Sequence, residues 1–437
     1  MATVESRRQA PSEEEVRIKA AIEKKYGKTT EQLFEERDKR VRDTIALNEP
    51  DRVPTMLSTG VFACKYAGLP VSSMYYDHIA HREACRRVVL DFEPDLVQSN
   101  PGTTSGEMLE VLDSKHQRWP GGNLPEDIPY QFVEGEYMKA EEYGLFMMDP
   151  SDFYLRFHLP RLYAALAPLS KLPSLRNSGG GLAGIVALFA TPEFRKLGET
   201  LAAAGTEQGK TREITLGIED ELNRLGFPTR GLGGGVGGSA FDYISDNLRG
   251  MRGAMLDMYR CPDKLLAACE KVLEWRIAAA TPPKGRANIV SRPLHRGAEG
   301  FMSIKQFEKF YWPTLKKAVI RDVELGYIPW LVWQGKVDSR LEYFLELPKG
   351  KVVCWFSDTD MVRAKAILGN HICISGNVPV SMLACGTPED IDDYCEKLIN
   401  ICGKGGGFIL TTGGQPDDSK PENIKAMMDS VKKHNVN

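Results

Sequence analysis

The chain of 437 residues is long against a usual domain of about 150, so it holds either several small domains or one large elaborated one. Its 56 Lys and Arg against 59 Asp and Glu leave a net charge of −3 with both signs interspersed. That balance removes the electrostatic footprint of a nucleic-acid or membrane-surface binder. Nine Cys form no C-x-x-C pair and no dense framework, which points to a reduced, cytoplasmic setting. The first residues lack the apolar core of a secretory signal, and the longest strongly apolar stretch, 181–190, falls well short of the ~20 residues that span a bilayer.

Residues 1–50 read as charged helix with apolar positions at Val16, Ile18, Ile22, Leu33, Val41 and Ile45, an outer-layer cap. A first strand is expected over 53–57, a helix over 81–92 and a second strand over 95–99. From about 101 to 285 the pattern is irregular, with glycine runs at 178–181 and 231–238 and helices over 194–204, 211–225, 246–258 and 262–279. After 285, strands over 287–291, 327–333, 351–356, 371–375 and 407–412 alternate with helices. Ser303 and Gln306 form a capping box for one helix that stops at Gly326, and Thr387-Pro388 opens another that Gly403 closes.

Repeated strand–helix units imply a parallel sheet with right-handed crossovers. Five units in the last third and two in the first hundred residues favour a closed (β/α)8 TIM barrel, fold class α/β, over an open doubly wound sheet. The barrel would span 51–437, with residues 1–50 as a helical extension and part of 101–285 inserted over its mouth. Active groups of such barrels sit where strands exit into helices, which here selects Ser58, Thr59, Asn100, His295, Arg296, Gln334, Asp358, Asp360, Asn377 and Thr412.

The stretch 293–300 is the richest of these exits, carrying His295, Arg296 and Glu299 directly after a strand. An imidazole exchanges protons near neutral pH, and a neighbouring guanidinium can hold a carboxylate or phosphate; the alternative is a loop fastened by hydrogen bonds. Asp358 is the more chemical carboxylate of its loop, since Asp360 is placed to cap the next helix. The G-x-G-x-x-G at 233–238 follows a turn-like stretch rather than a strand, so a substrate-side loop is favoured over a dinucleotide site. His371 and Cys373 share one side of a strand and could reach a single zinc ion, but two ligands in an apolar strand are more simply core residues.

The segments 301–303, Phe310-Tyr311-Trp312-Pro313, Gly376-Asn377-Val378-Pro379, Gly386-Thr387-Pro388-Glu389-Asp390 and 405–410, with Asp51-Arg52-Val53-Pro54 at the first strand, form a distinctive succession. Together they resemble the uroporphyrinogen decarboxylase superfamily. The resemblance covers about 36–434 and implies a (β/α)8 barrel that either decarboxylates a tetrapyrrole or moves methyl groups to and from corrinoid proteins. The Arg-Gln-Ala-Gly-Arg loop of the decarboxylases is absent after the first strand, where 58–65 stands instead; the literal Arg8-Gln9-Ala10 lies far upstream. The zinc ligands of the thiol-methylating branch are absent too, since the matching positions are Val332, Gln334 and Gly414.

The resemblance therefore implies a corrinoid-dependent demethylase of a small O-methyl substrate, with cobalamin carried on a partner corrinoid protein. In this reading His295 protonates the departing oxygen and Asp358 or Glu299 sets its tautomer. Arg296, Arg292, Gln334 and Asn377 contact substrate, and Phe62, Trp330 and Trp333 line the pocket. No metal ligand is assigned, no nucleic acid or membrane is expected among its partners, and a homodimer is left open. The competing readings are a lyase that holds an acidic substrate on Arg292 and Arg296, and a catalytically silent binding subunit.

Overall fold

Segments such as Ile328–Trp333 and Val353–Phe356 are rich in β-branched and aromatic residues and are covered on both faces, the pattern of strands enclosed by helices. The computed structural model describes residues 11–100, 102, 104–174, 181–231, 233–285 and 288–434. Arg8-Gln9-Ala10, the glycines at 179 and 180, Leu232 and Ala287 lie outside the described residues.

Ile289–Leu294, Ile328–Trp333, Val353–Phe356, Cys373–Val378 and Phe408–Thr412 pair in chain order as one parallel sheet. Met56–Ser58 and Leu96–Gln98 form a second parallel pair. Backbone bonds join the two sheets on both sides. On one side the Leu410 N–H donates to the Pro54 carbonyl at 2.9 Å, and Thr55 bridges Leu410. On the other, residues 228–231 run between the sheets: the Arg230 N–H donates to the Val97 carbonyl at 2.8 Å and the Gly231 N–H to the Ile289 carbonyl at 3.0 Å. Among the described residues the ring thus has eight parallel members, with 228–231 as the third. This is the (β/α)8 barrel that the strand–helix alternation predicts, although 226–230 reads in sequence as a turn.

Alternation along each strand sends side chains inward and outward in turn. Met56, Leu96, Ile289, Trp330, Val353 and Cys373 share one interior cluster, whereas Leu57, Val97, Leu331, Cys354 and Ile374 belong to the layer between strands and helices. The N-terminal helices are Glu13–Tyr26, capped by Ser12, and Thr30–Ile45, opened by a Thr29/Gln32 capping box. Val41 and Ile45 of the second helix join the interior cluster, so this helix closes the floor of the barrel rather than packing outside it. Asp95, fully buried just before the second strand, ties that floor together by accepting from Arg40 at 2.6 Å and from Arg52 at 2.7 Å.

The sheet leaves from the second strand at Gln98 and returns at 228, and the intervening chain is mostly helical, including Pro192–Thr215 and Ile218–Arg224. Ser99 donates to Glu219 at 3.2 Å, which brings this excursion back to the exit of the second strand. The glycine run after the third strand is pinned rather than loose. The Val236 N–H donates to Asp322 at 2.6 Å, and a Cβ on Gly235 would stand 2.1 Å from the same carboxylate. Asp322 also binds Arg292 at 2.9 Å, and Arg292 donates to the Gly234 carbonyl at 2.7 Å. Arg292 is therefore an outward-facing structural residue and not a substrate contact, because its strand register turns it away from the barrel interior.

Removing one member of a buried ion pair strands the other, which costs about 3–5 kcal/mol. Arg292→Ala is accordingly expected to lower unfolding stability by about that amount in urea titrations, while the substrate affinity of the folded protein stays unchanged.

Candidate active site

His295 follows the fourth barrel strand directly, and its surroundings are built from a helix that starts at Ser239. Ser239 caps Ala240–Tyr243 by accepting from the Asp242 N–H, and the helix continues as a π-helical turn over Ile244–Arg249. Asp242 and Asp246, four residues apart, thereby share one face. Asp242 is buried and accepts from the backbone N–H groups of His295 at 3.0 Å and Arg296 at 2.9 Å, and from the Tyr311 hydroxyl at 2.6 Å. Burial pushes its carboxyl above the usual range, against the pull of His295 and Tyr311. Its work is to hold the loop.

Asp246 meets the imidazole itself. Its Oδ2 lies 2.7 Å from His295 Nδ1, and its Oδ1 accepts from Arg296 at 3.0 Å. The hydrogen bond to Asp246 raises the pKa of His295 above its ordinary 6.5, opposed by burial and reinforced by the charge of Asp242. Among the described residues no hydrogen bond engages Nε2, so the pair presents one free ring nitrogen whose proton affinity is set from behind. Arg296 also donates to Ser245 at 3.0 Å and lies over the Phe301 ring, so its guanidinium braces Asp246.

The carboxylates expected from sequence beside His295 sit elsewhere. Glu299 accepts from the Ser339 N–H at 2.6 Å and faces Arg340. Burial would raise its pKa, but the Ser339 bond and the Arg340 and Lys336 charges hold it low. Asp358 is exposed on its own loop, and the side chain of Gln334 is exposed while its N–H completes the strand ladder to Leu294. Asn377 donates to the Thr359 carbonyl at 3.0 Å and accepts from Tyr394 at 3.3 Å, which ties its strand to the outer helix. Phe62 and Trp333 belong to the strand–helix layer, stacked with Tyr66 and Phe344 respectively. Strand alternation turns Trp333 outward, Phe62 sits on the helix Val61–Ala67, and Glu299, Gln334 and Asp358 lie on loops beyond the strand ends, so none of these faces the interior with the strand side chains.

Inside the ring lies a cavity of about 30 Å³. Its polar lining is Ser58, Gln98, Arg230, Thr412 and Gln415, and its apolar lining is Met56, Val332 and Trp355, with Gly414 at the edge. Ser58 and Thr412 are strand-exit residues expected from sequence; Arg230, Gln98 and Gln415 are not. Asp246 is the functional neighbour that sequence reasoning misses, although an i, i+4 pair of acids following a glycine run offers two carboxylates to one neighbour. Val332 and Gly414, two of the positions that the sequence resemblance matches to zinc ligands, line this same cavity. They offer a metal no donor, and no group of three or more His, Cys, Asp or Glu that could hold one occurs among the described residues. His371 and Cys373 do not converge either, because the His371 imidazole bonds the Leu347 carbonyl at 2.8 Å while Cys373 packs in the barrel interior. Among the described residues no helix is long and apolar enough to cross a membrane.

The family model of uroporphyrinogen decarboxylase (URO-D) matches residues 232–434. The uroporphyrinogen decarboxylase of Psychromonas ingrahamii is 38% identical over 73 residues, which cover 16% of this chain and 20% of that protein. The chain thus aligns with about a fifth of that curated relative. A methyltransferase from Methanosarcina mazei shares the fold, with a TM-score of 0.55 at 13% identity over 91% of this chain and 98% of the other.

Two measurements follow from this geometry. Asp246→Asn removes the carboxylate that raises His295, so the imidazole titration followed by NMR is expected to move down toward 6.5. Elemental analysis of protein purified without chelator is expected to find substoichiometric zinc.

Proposed function

From the membership of this chain in the uroporphyrinogen decarboxylase superfamily, carried by residues 232–434, we propose that it is a methyltransferase moving a methyl group between a small O-methyl substrate and a corrinoid protein. The observation that carries this reading is the His295–Asp246 pair at the exit of the fourth strand. The shared fold of the M. mazei methyltransferase supports it.

The corrinoid, held by a partner docking at the barrel mouth, supplies the cobalt centre that exchanges the methyl group. Breaking an O–CH3 bond leaves charge on oxygen, which needs a proton in the transition state. Asp246 keeps the proton on Nδ1 and orients the ring, while Asp242 fixes the backbone from which the ring hangs. His295 Nε2 then gives its proton to the departing oxygen and takes it back in the reverse direction. Zinc has no part in this scheme, because the residues at the expected ligand positions cannot hold it. The decarboxylase alternative on Arg292 and Arg296 has little to work with, since both guanidinium groups are engaged by carboxylates.

The test is the demethylation half-reaction with reduced corrinoid protein and methyl ethers, followed by cobalamin absorption. His295→Gln is expected to fold and bind substrate but to lose about 10²–10⁴ in turnover, the range for a missing general acid. The wild-type rate should persist above pH 6.5 and fall as pH rises through the raised pKa of His295. In Asp246→Asn that alkaline limb should move to lower pH. Unchanged turnover in His295→Gln at its pH optimum would leave the residue a loop anchor and remove the proposal's support.

A further inference from the structure

Arg230 differs from three other buried guanidinium groups, those of Arg249, Arg292 and Arg340, each of which faces a carboxylate. Arg292 is paired with Asp322 and Arg249 with Asp257, yet Arg230, 2% exposed, has no carboxylate partner among the described residues. Its Nη2 donates to the neutral amide oxygen of Gln98, whereas Nε and Nη1 have no acceptor among the described residues. Beneath it lies the Trp330 ring, 4.5 Å from the guanidinium carbon, and the indole Nε1 of Trp330 also lacks an acceptor. Burying an unpaired cation is strongly unfavourable, and one amide oxygen and one aromatic face offset only part of the cost. The backbone of Arg230 is held on both sides by the barrel ladder, so the side chain cannot simply leave.

The guanidinium lines the interior cavity, and among the described residues no Asp or Glu lines it with Arg230. The other polar groups there are the hydroxyls and amides of Ser58, Gln98, Thr412 and Gln415, and Ser58 donates to Gln415 at 3.0 Å. At about 30 Å³ the space accepts a group of a few heavy atoms. We propose that Arg230, with Gln98 and the Trp330 face, forms an anion subsite inside the barrel that takes the carboxylate of a small substrate. One guanidinium matches one negative charge, and the neutral amides and hydroxyls supply orientation without competing for it. That this carboxylate belongs to the methyl-bearing molecule rests on the methyl-transfer reading above, and makes the substrate class a short methoxy acid rather than a neutral ether.

The subsite is tested without corrinoid by titrating the full chain with sodium formate, and separately with formamide and with sodium chloride at matched ionic strength, following tryptophan fluorescence. Formate is expected to give a saturable change, and formamide and chloride none. Arg230→Gln should weaken formate binding about 10- to 100-fold, the loss expected for a charge-assisted hydrogen bond, Arg230→Lys should retain part of it, and His295→Gln should leave it unchanged. Arg230→Met, which removes an unpaired buried charge, should melt no lower than wild type. Equal responses to formate and formamide, an undiminished formate affinity in Arg230→Gln, or a sharp fall in the melting temperature of Arg230→Met would each overturn the subsite. Comparing methoxyacetate with 2-methoxyacetamide in the demethylation assay then tests the substrate class. Preference for the acid, lost in Arg230→Gln, supports it, and no preference rejects it. Formate binding without any demethylation would keep the subsite and overturn the methyl-transfer reading and the substrate class together.

Discussion

Backbone hydrogen bonding closes the ring of strands at two narrow places, and the rest of the molecule depends on that closure. At one, Pro54 and Leu410 join the first strand to the last; at the other, 228–231 is held between Val97 and Ile289. A sheet left open there would expose two rows of unpaired N–H and C=O groups and would leave its interior side chains without opposing walls. Closure also decides which half of each strand's residues is enclosed. Arg230 is enclosed because its own peptide is part of the ring.

The exits of the strands are stabilised by buried acids that serve the backbone more than any ligand. Asp242 accepts two successive N–H groups at His295 and Arg296, and Asp322 performs a similar task for Val236 while neutralising Arg292. At the floor, Asp95 does so for Thr55 together with Arg40 and Arg52. Each carboxylate converts loop donors that would otherwise be unsatisfied into fixed geometry. Asp246 uses the same rigidity differently, because the imidazole it holds retains a free nitrogen. In the proposed reaction, a proton donor so placed would lose little orientational freedom.

Local chemistry made much of the fold legible. The Ser303/Gln306 capping pair, the Thr387 cap with its Pro388 start and the Asp360 cap are found at the helices they announce, since caps depend only on neighbours within a turn. The apolar runs after residue 285 became strands for a similar reason, being long enough to bury both faces. The segment 228–231 was not legible, because a strand of so few residues, opening on Pro228 shortly after Gly226 and followed by a glycine run, has no pattern of its own and exists through its neighbours.

For the site, the sequence by itself determined that His295 stands at a strand exit with titratable neighbours, and that the expected zinc positions hold Val332, Gln334 and Gly414. It also determined the charge balance and the alternation that makes a barrel. Only the tertiary structure decided that Asp246 rather than Glu299 or Asp358 meets His295, across 49 residues, and that Gln98 rather than an acid meets Arg230, across 132. Sequence-adjacent residues on a loop diverge in direction, while residues far apart are brought together by strand register and ring closure. Those are set by the whole set of backbone hydrogen bonds, and no window of sequence contains them.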